Sequence, residues 1–91
     1  MTFNEILADL RSGRTVILSD WHESNTADPS QFERSTRMSQ NASGDFNLIS
    51  QLISHDGSGA ASSPEFETLN PTELQGRIAR LLGEGFQPIT I

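Results

Sequence analysis

Both ends of this chain carry the same local plan, and that repetition constrains the fold more than any other feature. Thr2-Phe3-Asn4-Glu5 has the spacing of a capping box, in which the threonine hydroxyl takes an orphan N–H and the glutamate reaches back to the cap. Phe3, Ile6, Leu7 and Leu10 recur at helical spacing, and Gly13 can supply the left-handed residue that ends a helix, so the predicted span is about 3 to 12. Thr15-Val16-Ile17-Leu18 is β-branched and apolar and reads as a buried strand. Near the other end Asn70 caps, Pro71 fits the first helical position and Glu73 closes the box. Leu74, Ile78, Leu81 and Leu82 form the apolar stripe, and Gly85 stops it. Phe86 to Ile91 then reads as an imperfect strand whose proline suggests an edge or a strand start. An offset of 72 positions superposes Ile6, Leu10, Gly13 and Ile17 on Ile78, Leu82, Gly85 and Ile89. The shared order of helix, glycine and strand predicts both strands in one sheet.

The middle of the chain is built differently. From His22 to Asp45 only Ala27, Phe32, Met38 and Ala42 are apolar, which predicts a long polar loop over about 22 to 45 and makes it the most mobile or partner-dependent part of the chain. The alternative is a polar outer strand over Phe32 to Ser39 that turns at Gln40 to Gly44 into Asp45 to Ser54. That last segment fits a short helix slightly better than a strand, and its β-branched content keeps both readings open. His55 to Pro64 is rich in Gly, Ser and Ala and reads as a flexible connector. With 91 residues and only 34% of them apolar, there is room for one thin core. The expected fold is a single small α+β domain over 1–91, with a small antiparallel sheet, an N-terminal helix and a C-terminal helix.

Composition removes whole classes of chemistry. The absence of cysteine rules out a thiol nucleophile, a disulfide framework and a cysteine-ligated zinc site. A net charge of -6 opposes direct nucleic-acid binding and docking on anionic membranes. The absence of an apolar run of membrane-spanning length and of a secretory pattern at the start leads to the expectation of a cytoplasmic protein. No phosphate-cradling glycine motif or nucleophile elbow is present, so the expectation is a protein that is not an enzyme and uses no cofactor.

Val16 to Glu23 resembles the first metal-ligand element of calcineurin-like metallophosphoesterases, in which an aspartate and a histidine two apart leave a buried strand. Asp20 and His22 occupy those positions. The family's Gly-Asp and Asn-His elements have only Gly44-Asp45 and His55-Asp56 as poor counterparts, so the pair is read as a polar strand end with no metal assigned.

All six basic residues are arginines, in three pairs three apart. Arg77 lies four after Glu73, and Arg80 four before Glu84, which predicts ion pairs along the second helix. Arg34 and Arg37 sit in the polar segment beside Phe32 and are the better choices for contacting an anion or a partner.

Met1, Phe3, Glu5, Leu7, Leu10, Arg11, Gly13, Arg14, Val16 and Trp21 together resemble, in register and without insertion, the start of the Thoeris anti-defence sponge family of small phage proteins. The resemblance covers the first 21 residues. His22-Glu23 stands where the family usually has Asn-Gly, and Gly85-Phe86 where it has an acidic residue and Trp. It implies a non-enzymatic, homo-oligomeric protein of the host cytoplasm that sequesters a small anionic, cyclic nucleotide-type signal, with Trp21 as a pocket wall. Arg34 and Arg37 complete the expected binding set. The rival expectation is a phage-type inhibitor or adaptor that meets a host defence protein, such as a CRISPR complex, through its acidic surface.

Overall fold

A computed structural model describes residues 2–20, 32–54, 59–60 and 63–91. Its elements are α1 (Phe3–Arg11), β1 (Val16–Ser19), β2 (Phe32–Gln40), β3 (Phe46–Ser54), β4 (Gly59–Ala60), β5 (Glu65–Leu69), α2 (Pro71–Gly83) and β6 (Gln87–Thr90). The expected α+β fold is present, with a helix near each end and an antiparallel sheet between them.

Each helix starts and stops by the same chemistry. Thr2 and Asn70 accept from the backbone N–H groups of Glu5 and Glu73, whose carboxylates accept from the cap N–H groups in return. At the far ends the N–H groups of Gly13 and Arg14 donate to Leu10 and Asp9, and those of Gly85 and Phe86 donate to Leu82 and Leu81. Both are Schellman motifs, and the glycine φ values are 88° and 91°. Strand pairing continues the symmetry, because Ile17 lies opposite Ile89, with Val16 against Thr90 and Leu18 against Pro88. Thr90 also donates from Oγ1 to Asp9 Oδ2 at 2.7 Å, tying the last strand to the first helix.

The strand order is β4-β3-β2-β1-β6, and β5 pairs with the other half of the same β3 edge, so the sheet is five strands wide. β6 forms the opposite edge, where Pro88 lacks an N–H to donate and is tolerated. Both helices lie on one face. There Ile6 and Leu10 of α1 and Leu74, Ile78 and Leu81 of α2 meet Val16, Leu18, Met38, Phe46, Leu48, Leu69 and Phe86 in one buried cluster. Each such side chain contributes roughly 1.5–3 kcal/mol by leaving water.

The middle departs from expectation. Residues 32–40, expected as loop or as an outer strand, form the central strand of the sheet, and β1 and β3 flank it on both sides. Residues 22–31 lie outside the described residues. The polarity of β2 arises because its outward residues Glu33, Ser35, Arg37 and Ser39 face away from the helices, while Met38 and Thr36 are the buried ones. Its backbone pairs with β3 along its whole length and with β1 from Ser35 to Met38, which stabilises a strand that its side chains alone do not announce.

The slight preference for a helix over 45–54 is also corrected. Phe46 and Leu48 point to the core while Ile49 and Ile53 point to the other face. Apolar residues on both faces of one strand imitate a helical period. Asn41 makes the turn before it: its Oδ1 accepts from the N–H groups of Ser43 and Asp45, and Gly44 takes φ 86°. This matches a three-residue hairpin loop ending in a left-handed residue. In the expected connector 55–64, Gly59–Ala60 pairs with Ile53 and Ser54, and the following β5 pairs with Phe46 to Ser50.

Candidate functional site

Concavity combined with positive charge, rather than any motif, locates the site. A cavity of about 410 Å³ opens between the β2–β3 ribbon, the start of β5 and the C-terminal turn of α2. That volume lies in the range of small-molecule sites. Its walls hold two arginines, Arg34 and Arg80, and four hydroxyl residues, Ser35, Thr36, Ser50 and Ser63. Glu65 and Glu84 stand beside them, and Leu52, Leu81 and Phe86 supply the apolar surface.

Strand alternation sets part of this. Arg34 and Thr36 point to the helix side of β2, next to Leu52 and Ser50 of β3. The Thr36 and Ser50 hydroxyls lie 3.2 Å apart and share a hydrogen bond in which either can donate. Thr36 is buried, so this pair forms a fixed polar step on the cavity wall.

The α2 Schellman motif sets the other part. Its hydrogen bond from Phe86 N–H to Leu81 O, at 3.0 Å, swings the chain so that Phe86 lies beneath Arg34, whose guanidinium carbon is 5.0 Å from the ring centroid. Such a cation-π contact contributes on the order of 0.5–1 kcal/mol at an exposed site. The guanidinium is oriented a second time by Asp20. Arg34 Nε donates to Asp20 Oδ2 at 2.7 Å, and the Arg34 backbone N–H donates to Asp20 Oδ1 at 2.6 Å. Asp20 raises the Arg34 pKa further, chiefly through that side-chain hydrogen bond, with burial opposing and the charges of Asp20 and Glu84 assisting. Arg34 stays cationic at any physiological pH. Its terminal amino groups lie outside the Asp20 bond, and just over half of the side chain is exposed.

The expected binding set is divided by this geometry. Arg34 enters the cavity. Arg37, three residues later on the same strand, points to the opposite face beside Ile17 and Ile49, because three steps along a strand reverse the side. Trp21, His22 and the pair His55-Asp56 lie outside the described residues. Asp20, taken at the sequence level as a polar strand end, serves Arg34 instead.

Arg77 corrects the expected helical pairing. It reaches across to β5 and donates from both terminal nitrogens to Glu67, at 2.6 and 2.9 Å, while Glu73 is engaged in the capping box. The Arg77 hydrogen bonds hold the Glu67 carboxyl below its ordinary range. Arg80, expected to answer Glu84 along the helix, lines the cavity together with it.

Sequence reasoning missed Arg80, Thr36, Ser50 and Phe86 as members of one site. The available signal was the period of two that puts Arg34 and Thr36 on one side of a strand, which is invisible while the segment is read as loop. Comparison with family models, curated proteins and solved structures returns no match.

Proposed function

We propose that this protein is a non-enzymatic binder of a small phosphorylated ligand of the cyclic nucleotide type, held in the cavity between β2, β3 and α2. The observation that carries the reading is the convergence of Arg34 and Arg80 with the Thr36, Ser50 and Ser63 hydroxyls around one concavity. Guanidinium groups give the strong charge-assisted hydrogen bonds that phosphate oxygens accept. Hydroxyls add donors and acceptors without further charge. Glu65 and Glu84 favour a ligand that also carries donors of its own, such as ribose hydroxyls or a base amino group, over a bare phosphate.

A chain of net charge -6 repels anions at long range, so any anion site on it requires arginines brought together locally. Two of the six lie on this one cavity. The N-terminal resemblance to the Thoeris anti-defence sponge family points the same way, towards sequestration of an immune signal by a phage-type protein acting as a homo-oligomer in the host cytoplasm.

Titration calorimetry with a panel of cyclic dinucleotides, cyclic trinucleotides and cyclic ADP-ribose isomers tests the reading. The expected result is saturable binding to at least one member, weakened at least tenfold by Arg80→Ala and by Arg34→Ala. If no member binds and a pull-down from host lysate instead captures a defence protein, the inhibitor or adaptor reading replaces this one.

A further inference from the structure

Arg80 and Glu84 stand four residues apart at the end of α2 and both line the cavity, a spacing at which opposite charges commonly pair. Among the described residues neither side chain makes a hydrogen bond or an ion pair. Glu84 is also poorly placed for the helix. It is the C-cap, its N–H donating to Arg80 O at 3.0 Å and to Leu81 O at 3.1 Å, so its carboxylate stands at the negative end of the helix dipole, where a cation is favoured. A carboxylate that opposes its own helix and binds nothing within the chain keeps both oxygens for a ligand.

We propose that Glu84 reads a guanine base, so that the cavity selects guanine over adenine among cyclic nucleotides. A carboxylate offers acceptors only, two of them side by side. Of the common bases, guanine alone presents two adjacent donors on its pairing edge, N1–H and the 2-amino group, and these match the two oxygens of one carboxylate. Adenine has an acceptor, its ring N1, beside the 6-amino group, and at Glu84 it would set a lone pair against a negative charge. A polar group answered by one base and opposed by another discriminates strongly between them.

Position separates Glu84 from the other carboxylate of the cavity. The hydrogen bond from Phe86 N–H to Leu81 O draws these two apolar residues together around the turn that carries Glu84, and both reach the cavity. A base whose edge meets Glu84 therefore has apolar surface for its ring, with one polar group fixing its orientation. Glu65 enters from β5 opposite Ser50, among hydroxyls, and suits ribose. Arg34 lies within the field of Glu84, whose charge is one of the causes that raise the Arg34 pKa, so phosphate and base sites adjoin as they do in a nucleotide. The inference rests on the cyclic nucleotide reading and adds which base is held and by which residue.

Titration calorimetry on the intact chain tests it, with three cyclic dinucleotides that differ only in the base: cyclic di-GMP, cyclic di-IMP, whose hypoxanthine lacks the 2-amino group, and cyclic di-AMP. Wild type is expected to bind cyclic di-GMP at least tenfold more tightly than cyclic di-AMP, with cyclic di-IMP between them. Glu84→Gln replaces one acceptor by a donor and so matches the edge of adenine. It is expected to weaken cyclic di-GMP at least tenfold and to bring cyclic di-GMP and cyclic di-AMP within about threefold of each other. The variant is also expected to melt no lower than wild type, because it removes an unpaired charge from the negative end of α2. A midpoint more than about 5 °C below wild type would make the carboxylate a structural group and overturn the assignment. Binding without base preference, a preference for adenine, or a guanine preference that survives Glu84→Gln would overturn the inference and leave the cyclic nucleotide reading standing. If no cyclic dinucleotide binds, the inference falls, and the remaining members of the calorimetric panel decide whether the reading falls with it.

Discussion

The two faces of the sheet are made by the same strands and by opposite rules. On the covered face the polar residues at one end form a cavity that gathers Arg34, Arg80, Thr36 and Ser50. On the open face apolar residues are spread in rows between polar ones, with a single acid and a single base among the described strand residues. Burial therefore marks the face that holds the fold together, while the pattern of charge marks what each face can recognise. The covered face brings two arginines to one concavity, and the open face keeps its one described acid and one described base apart along β2.

The sharpest way to break this contrast is to cut the same side-chain type from each face. Phe46→Ala removes a fully buried ring and is expected to destabilise the chain by about 3–5 kcal/mol in urea denaturation. Phe66→Ala on the open face is expected to change the stability of the dilute protein by less than about 0.5 kcal/mol. Comparable losses at both positions would mean that the two faces do the same job.

Gly85→Ala comes next. A side chain at φ 91° costs about 1–2 kcal/mol, and because nothing crowds the added Cβ, the loss is conformational rather than steric. Since Gly85 leads directly into Phe86, the variant is expected to weaken ligand binding as well as stability, whereas Gly13→Ala is expected to lower stability alone. Thermal melts combined with titration separate the two. Asn70→Ala, which removes the cap of α2, is expected to cost about 1 kcal/mol.

The smallest expected effect is electrostatic. Arg77 lowers the Glu67 carboxyl pKa from its ordinary 4.5 through its hydrogen bonds, and Thr2 lowers that of Glu5 through its backbone N–H. A carboxyl depressed in the folded state adds stability that is present above its unfolded pKa and is lost as pH falls through the folded value. Stability is therefore expected to decline below about pH 4.5. Glu67→Gln is expected to remove part of that slope while changing stability near pH 7 by only about 0.2–1 kcal/mol, as for other exposed pairs. A pH series of urea midpoints in which the variant keeps the full slope would assign it to other groups.

The ends of the fold were legible because their signals are local. A capping box, an apolar stripe and a glycine lie within about a dozen residues of each other, and each reports on its own turn of chain. The middle was legible only as an alternative, the strand over Phe32 to Ser39 turning at Gln40 to Gly44, for the opposite reason. Arg34, Thr36 and Met38 share a face only once β2 is known to be a strand, and β2 is held as a strand by the pairing of β1 and β3 on its two sides. The apolar period of β3 misled because its two faces are both apolar, which is a property of the open side of the sheet rather than of the segment. Of the expected binding set, Arg34 was found by its polar surroundings, and Arg37 was assigned to the same site because spacing in a loop carries no face. Arg80 was missed because an arginine four from a glutamate on a helix is accounted for without a cavity.

The arginine side-chain NMR spectrum tests the central claim most directly. The chain has six arginines and no lysine, so six Nε–H signals report on its basic side chains. Titration with the cyclic dinucleotides, cyclic trinucleotides and cyclic ADP-ribose isomers of the calorimetric panel is expected to shift the signals of Arg34 and Arg80 together, leaving those of Arg11, Arg14 and Arg37 in place. Shifts centred on Arg37, or no shift at Arg34 and Arg80 with any member of the panel, would contradict the account.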